Sequence, residues 1–277
     1  MFPILETKEI AKNVFLQKIQ APRVAKKRKA GQFLVLRRTE DGERIPLTIV
    51  SSDAVEGSVT IIFQAVGKST TEFAKMKTGD AYLDVVGPLG LATHIEKFGT
   101  VVGIGGGIGA APLLPIATAI KEAGNRLLSI VGARTKDLLI LEDDMRAVSD
   151  EIVVTTDDGS YAKKGFVTTA LQEFIDRGEK IGLCIAIGPV PMMRAVAEVT
   201  RPHGIRTMVS LNPIMVDATG MCGACMVPVT EGGRLVRKHA CIDGPEIDGH
   251  AIDWDKFLPR FGLFRSQEQA SRARHGF

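Results

Sequence analysis

The chain has 277 residues, 45% of them hydrophobic and 24% charged, an ordinary globular composition with enough apolar material for more than one core. Its formal charge of +3 supplies no strongly basic field, so neither nucleic acid nor a membrane surface is expected as a partner. The longest apolar stretches, such as Ile181–Ile187, are too short to span a bilayer, and Glu6, Lys8, Glu9 and Lys12 interrupt any signal-peptide core. Three of the four cysteines crowd between 222 and 241, which is no secreted disulfide framework, and a reducing cytoplasm is the expected compartment.

From the N-terminus to about residue 95 the sequence predicts short strands near 13–19, 32–36, 46–50, 58–66 and 82–86. Turn pairs such as Asp41-Gly42, Glu56-Gly57 and Thr78-Gly79 separate them. That spacing predicts a small antiparallel barrel. From about residue 99, strand-like runs near 100–104, 127–131, 152–155, 183–187 and 206–209 alternate with helical segments near 111–123, 138–148, 166–176 and 190–202. Alternation of this kind predicts a parallel sheet covered on both faces. Beyond Pro213 the alternation stops. A basic tail with Arg265, Arg272 and Arg274 closes the chain and is expected to be disordered.

In the first part, Arg44-Ile45-Pro46-Leu47-Thr48 opens a strand, and Gln64-Ala65-Val66-Gly67-Lys68-Ser69-Thr70 follows a later one. The Gly-Lys-Ser run is not a P-loop, because the glycine required five residues before Gly67 is Ile62. A turn rich in small hydroxyl residues can still hold a diphosphate through backbone and side-chain donors.

The second part carries Gly105, Gly106, Gly107 and Gly109 between a strand and a helix, with Gly105-x-Gly107-x-x-Ala110 fitting a nucleotide-binding glycine pattern. Glycines there let backbone approach a phosphate, and a helix N-terminus supplies free N–H donors. No acid follows the next strand to hold a ribose 2′-hydroxyl; Arg134 stands there instead, either solvated or pairing a 2′-phosphate. Two further strand ends carry Asp157-Asp158 and Gly188-Pro189 with Met192, at the sheet edge where open α/β folds bind ligands. The two aspartates contact nucleotide or shape a turn. Met192 contacts nucleotide or begins a buried helix.

Asp217, Cys222, Cys225 and Cys241 form an Asp-x4-Cys-x2-Cys-x15-Cys array. It is close to the plant-type [2Fe–2S] spacing, with aspartate at the first ligand position. Three thiolates and a carboxylate also suit structural zinc, with His239 as a substitute ligand. Cys184, inside an apolar strand, reads as an ordinary buried thiol, and His94, His203 and His250 read as surface residues.

With these motifs in this order, nearly the whole chain resembles the ferredoxin–NADP reductase superfamily. The resemblance implies a fold of all-β plus α/β parts: an FAD-binding antiparallel barrel over 1–97, an NAD(P)-binding parallel-sheet domain over 98–212, and a [2Fe–2S] segment with the tail over 213–277. It implies that Arg44 meets the flavin pyrophosphate, that Thr48 lies beside the flavin ring, and that residues 66–70 close on the FAD diphosphate. Ile187 stands where the superfamily often carries a cysteine before its Gly-Pro. The cysteine segment narrows the resemblance to small electron-transfer subunits of two kinds, those of dihydroorotate dehydrogenases and those of electron-bifurcating NADH-dependent ferredoxin:NADP oxidoreductases. Asp217 favours the second, since the dihydroorotate type carries cysteine there.

The implied function is an oxidoreductase subunit passing electrons between NAD(P)H, FAD and the cluster, with binding and redox residues but no catalytic triad. The implied partner is a larger glutamate-synthase-like subunit with FAD and [4Fe–4S] clusters, forming a heterodimer that reaches ferredoxin indirectly. A dihydroorotate-type or sulfide-dehydrogenase-type subunit and a redox-sensing nucleotide module stay open as alternatives.

Overall fold

The computed structural model describes residues 1–275, which fall into two compact units. The first takes Met1–Leu91, Asn212–Gly244 and the chain from Asp253 onward; the second takes Ala92–Leu211 and Pro245–Ile252.

The first unit begins with seven antiparallel strands: β1 (Phe2–Ala11), β2 (Val14–Gln20), β3 (Phe33–Arg37), β4 (Ile45–Asp53), β5 (Ser58–Gln64), β6 (Ala81–Tyr82) and β7 (Asp84–Leu89). Their order β6-β1-β2-β5-β4-β3-β7 makes a nearly closed barrel. Ile4, Ile19, Leu34, Leu36, Ile49, Ile61 and Phe63 fill it, one side of each strand facing inward as the two-residue period requires. The sequence predicted no strand at β1. Its middle reads Glu-Thr-Lys-Glu, and only Ile4 is buried; pairing with β2 holds it, not apolar alternation.

One polar side chain crosses this core. Gln17 is fully buried, accepts the Tyr82 hydroxyl at 2.5 Å and donates to the Phe73 carbonyl at 2.9 Å. Phe63, Phe73 and Tyr82 meet edge to face around it, with centroids 6.1 and 5.0 Å apart. Burial pushes the Tyr82 phenol above its ordinary range, so it stays a donor.

The second unit carries β8 (Thr100–Gly106), β9 (Arg126–Ala133), β10 (Glu151–Thr156), β11 (Lys163–Lys164), β12 (Ile181–Ile187) and β13 (Thr207–Ser210), all parallel, in the order β11-β10-β9-β8-β12-β13. Helices Ala110–Glu122, Glu142–Val148, Val167–Asp176 and Val190–Thr200 connect them. The second of these starts four residues later than the sequence predicted, because Leu141 adopts a left-handed conformation (φ 57°) that no helix continues through.

After Asn212 the chain forms the hairpin β14 (Met226–Glu231) and β15 (Arg234–His239) within the first unit. Then β16 (Glu246–Asp248), in the stretch that sequence reading kept with the cysteines, pairs antiparallel with β13 in the second. Beyond it lies a helix over Arg265–His275, correcting the expected disordered tail. Its Ser-Gln-Glu-Gln-Ala run is rich in helix-compatible residues. Among the described residues no helix is long and apolar enough to cross a membrane.

Tyr82→Phe leaves the Gln17 carbonyl oxygen without its donor and should cost about 1–3 kcal/mol in denaturant melts. On β16, burial raises the Glu246 carboxyl above the usual range, while the Thr93 hydroxyl, which donates to it, works against the shift. A carboxyl with a raised folded value holds its proton better folded than unfolded, so its contribution is present at acid pH and fades as pH rises through the folded value. Glu246→Gln should therefore melt above wild type at about pH 8 and near it at about pH 5.

Candidate functional site

In the barrel unit, Arg44 is exposed just before β4, and within β4 the pairing sets Thr48 opposite Phe33 and Pro46 opposite Val35. Ile45 and Leu47 pack on the barrel core, so by alternation Pro46 and Thr48 face the other way. Gln64 ends β5, and Gly67 caps the helix Lys68–Ala74. Val66 is 56% exposed. The Thr70 hydroxyl oxygen accepts the N–H groups of Val66 and Gly67, both at 3.1 Å, and the Ser69 hydroxyl donates to the Glu43 carboxylate. That last bond ties the 66–70 loop to the residue beside Arg44. Two motifs twenty residues apart thus form one cradle, whose donors include the N–H groups of the first helical turn and the Arg44 and Lys68 side chains.

In the second unit the loops after β8, β9, β10 and β12 all lie along the carboxyl edge of one sheet, with Gly106 opposite Gly132 and Gly105 opposite Ile187. Most of the glycines there serve packing. A Cβ on Gly109 would stand 2.1 Å from the Ile187 carbonyl oxygen, and one on Gly106 2.4 Å from the Met192 sulfur. A Cβ on Gly105 would meet the Ala110 Cα at 2.9 Å, and one on Gly188 the Met192 methyl at 2.8 Å. Gly107 differs: its φ is +54° and nothing lies within 4 Å of a Cβ there, so its backbone faces open space at a helix start. Pro189 caps the helix that follows, and Met192 bridges Gly106 and Gly188. Arg134, Asp157 and Asp158 are exposed at the neighbouring strand ends.

The cysteine loop is built by a hairpin. Six residues of β14, the pair Gly232-Gly233 at φ 56° and 76°, six residues of β15 and Ala240 span the gap from Cys225 to Cys241. Two consecutive left-handed residues make the tight turn that suits strand twist. The turn brings the Cys225 and Cys241 sulfurs to 3.2 Å, with the Ala240 N–H on the Cys225 carbonyl. Burial first, then the Cys225 thiol, push the Cys241 thiol up to about 12. Cys222 is exposed on a loop that Ala218, Gly220 and Gly223 turn with positive φ. The Asp217 carboxylate folds that loop, accepting the Thr219 and Cys222 N–H groups at 2.8 Å each; the Thr219 bond is the largest of several that hold it below the usual range.

The predicted ligands therefore stand as two pairs, Cys225 with Cys241 and Asp217 with Cys222. Among the described residues no three His, Cys, Asp or Glu side chains stand close enough together to hold a single metal ion. His239 is held to Asp243 by its own N–H at 2.6 Å. Two pairs of donors fit a binuclear cluster; a four-ligand zinc site needs them on one ion.

Comparison with known proteins accords with this geometry. The iron–sulfur cluster binding domain of dihydroorotate dehydrogenase B matches residues 212–253. A Thermotoga maritima protein named dihydroorotate dehydrogenase B (NAD(+)), electron transfer subunit homolog, is 47% identical over 98% of this chain and 94% of its own length. The electron transfer subunit of Streptococcus pneumoniae R6 is 33% identical over 87% and 93%. The chain belongs to this electron-transfer-subunit family. It is also similar to a solved structure described for flavin-based electron bifurcation by the NADH-dependent reduced ferredoxin-NADP oxidoreductase, with TM-score 0.92 and 46% identity over 100% of this chain and 98% of that one. A Neisseria gonorrhoeae ferredoxin NADP+ reductase with FAD and NADP shares the fold at TM-score 0.59, with 20% identity over 73% and 90%.

For a member of this electron-transfer-subunit family, the structure redistributes the expected site. Leu47 packs its side chain on the barrel core, and the hydroxyls of Ser69 and Thr70 are engaged within the protein. Met192 serves loop packing. Glu43, which joins the halves of the cradle, carries no sequence signal beyond its place next to Arg44. The glycine roles separate by experiment: Gly107→Ala should cost only the left-handed strain of about 1–2 kcal/mol. Gly109→Ala, which drives a methyl into the Ile187 carbonyl, should cost about 3 kcal/mol or more in the same melts.

Proposed function

We propose that this chain is the small subunit of a flavin and iron–sulfur oxidoreductase, passing electrons between NAD(H), FAD and a [2Fe–2S] cluster and exchanging them with a larger subunit. The carrying observation is that the hairpin closing Cys225 on Cys241 belongs to the same compact unit as the barrel with its Arg44 and 66–70 cradle. When bound, flavin exchanges electrons in pairs with a nicotinamide and singly with a cluster.

The chain's own residues then have distinct tasks. Arg44, Lys68 and the N–H groups at the start of Lys68–Ala74 bind the FAD diphosphate, while Pro46 and Thr48 line the flavin side of β4. Gly107 and the helix Ala110–Glu122 receive the nicotinamide cofactor's diphosphate, with Gly188-Pro189 bordering it. Asp217, Cys222, Cys225 and Cys241 hold the two irons. Asp217 also fixes its loop through two N–H groups, so its carboxylate is oriented before metal arrives.

Asp217 favours the bifurcating type of complex, with a larger glutamate-synthase-like subunit carrying FAD and [4Fe–4S] clusters and ferredoxin reached through it. The dihydroorotate type is the second reading, favoured by the names of the curated relatives. A cytoplasmic setting, in which thiols stay reduced, belongs to the same proposal.

Prepared anaerobically, the protein should contain FAD and two irons, and NADH should bleach both chromophores. A protein that holds zinc and no iron, or whose flavin NADH leaves oxidised, overturns the proposal. Asp217→Cys should keep a cluster with a shifted reduction potential in a spectroscopic redox titration, and Cys241→Ser should lose most of the iron. The subunits that co-purify separate the two types of complex.

A further inference from the structure

We propose, on the flavin reading of the first unit given above, that Glu43 is a positioning residue for the FAD diphosphate. By accepting the Ser69 hydroxyl, it fixes Arg44 against Lys68 before the cofactor binds.

The need for such a residue comes from where the sheet ends. The β3–β4 ladder runs from Phe33 opposite Thr48 to Leu36 opposite Ile45, one residue short of Arg44. The turn before it is bonded within itself. The Gly42 N–H donates to the Thr39 carbonyl at 3.0 Å, and the Arg37 guanidinium donates to the Glu40 carbonyl at 3.0 Å. Neither bond reaches Glu43 or Arg44. An exposed arginine outside the ladder has many rotamers and loses that freedom when it grips a phosphate.

The other side of the cradle is ordered locally. The Thr70 hydroxyl oxygen accepts the Val66 and Gly67 N–H groups at 3.1 Å each, which folds their loop onto the helix Lys68–Ala74. Ser69 is buried in the first turn of that helix, and its hydroxyl donates to the Glu43 carboxylate. Each end of this bond is the chain neighbour of a cation: Glu43 precedes Arg44, and Ser69 follows Lys68. One hydrogen bond therefore couples the positions of two cations from separate segments. The Arg38–Glu72 ion pair spans the same segments, but at 3.8 Å between partly exposed groups it is the weaker tie. Among the described residues Glu43 forms no ion pair with Arg44 or Lys68.

A carboxylate beside a diphosphate opposes binding by its charge. Glu43 is exposed, so water and salt screen that repulsion, while an arginine ordered in advance loses less entropy on binding. The two effects differ in sign. Loss of Glu43 tightens FAD if charge dominates and weakens it if positioning dominates.

The test titrates FAD into the full-length protein stripped of flavin, with Kd read from the change in flavin fluorescence. Glu43→Ala and Ser69→Ala should each raise the FAD Kd about tenfold or more, since a hydrogen bond to a charged group is lost. The double variant should be no weaker than the single ones, because one bond serves both residues. Glu43→Gln keeps an oxygen that accepts the Ser69 hydroxyl and should stay within about threefold of wild type. FMN carries one phosphate in place of two, so Glu43→Ala should weaken it less than it weakens FAD. Melts of the flavin-free variants check the fold; should Ser69→Ala fail to fold, the Glu43 variants decide alone. Tighter FAD in Glu43→Ala, additive losses in the double variant, a Gln variant as weak as the Ala one, or equal losses for FAD and FMN each overturn the proposal and leave the flavin reading intact. A wild-type protein that binds no FAD removes both.

Discussion

Two buried cysteines separated by fifteen residues must bring their sulfurs to 3.2 Å. That constraint governs the cysteine segment. The fifteen residues between Cys225 and Cys241 are two six-residue strands, a two-glycine turn and one alanine, so the turn sets the register and the register sets the distance between the sulfurs. A slip of one residue would turn the strand over and carry one cysteine away from the other. Val227, Pro228 and Val229 are buried, and the Pro228 carbonyl accepts the Asp253 N–H at 3.0 Å, which holds the hairpin to the chain that follows. The hairpin thus positions Cys225 and Cys241.

The glycines of the second unit show how one residue type serves two demands. Gly105, Gly106, Gly109 and Gly188 leave room for protein atoms, chiefly the Ile187 carbonyl and the Met192 side chain. Gly107 alone of that loop combines a left-handed backbone with free surroundings. A glycine-rich pattern is therefore a composite of strand–helix packing and ligand approach, and only the contacts a side chain would make can separate the two.

Much of the architecture was legible because burial follows the strand and helix periods closely. All five parallel strands predicted for the second unit are present, since strands covered on both faces are continuous apolar runs. β1 was illegible because its stability comes from pairing with β2 and β6, while its side chains are mostly polar. In the site, the cysteine spacing and the flavin and glycine motifs could be read as types. The side to which each residue turns could not. Leu47 sits between Pro46 and Thr48 in sequence yet packs inward, and the bond from Ser69 to Glu43 joins segments that no local pattern connects.

Order along the chain also differs from order in space. The segment after Asn212 rejoins the barrel unit, eight residues from Pro245 complete the parallel-sheet unit, and the remainder returns. Backbone bonds fix two of these junctions: the Leu91 N–H reaches the Gly244 carbonyl at 2.6 Å within the first unit, and the Leu211 N–H reaches the Pro245 carbonyl at 2.9 Å within the second. Gly90 is held to the same place, since a Cβ on it would meet the Gly244 oxygen at 3.1 Å. The cysteine loop is thereby anchored to the end of β7 in its own unit. The separation between the cradle of Arg44 with residues 66–70 and the cysteine loop is then set by packing inside one folded body, where a core is dense and hard to deform. One-electron transfer depends steeply on distance, so a fixed separation is what the proposed relay requires.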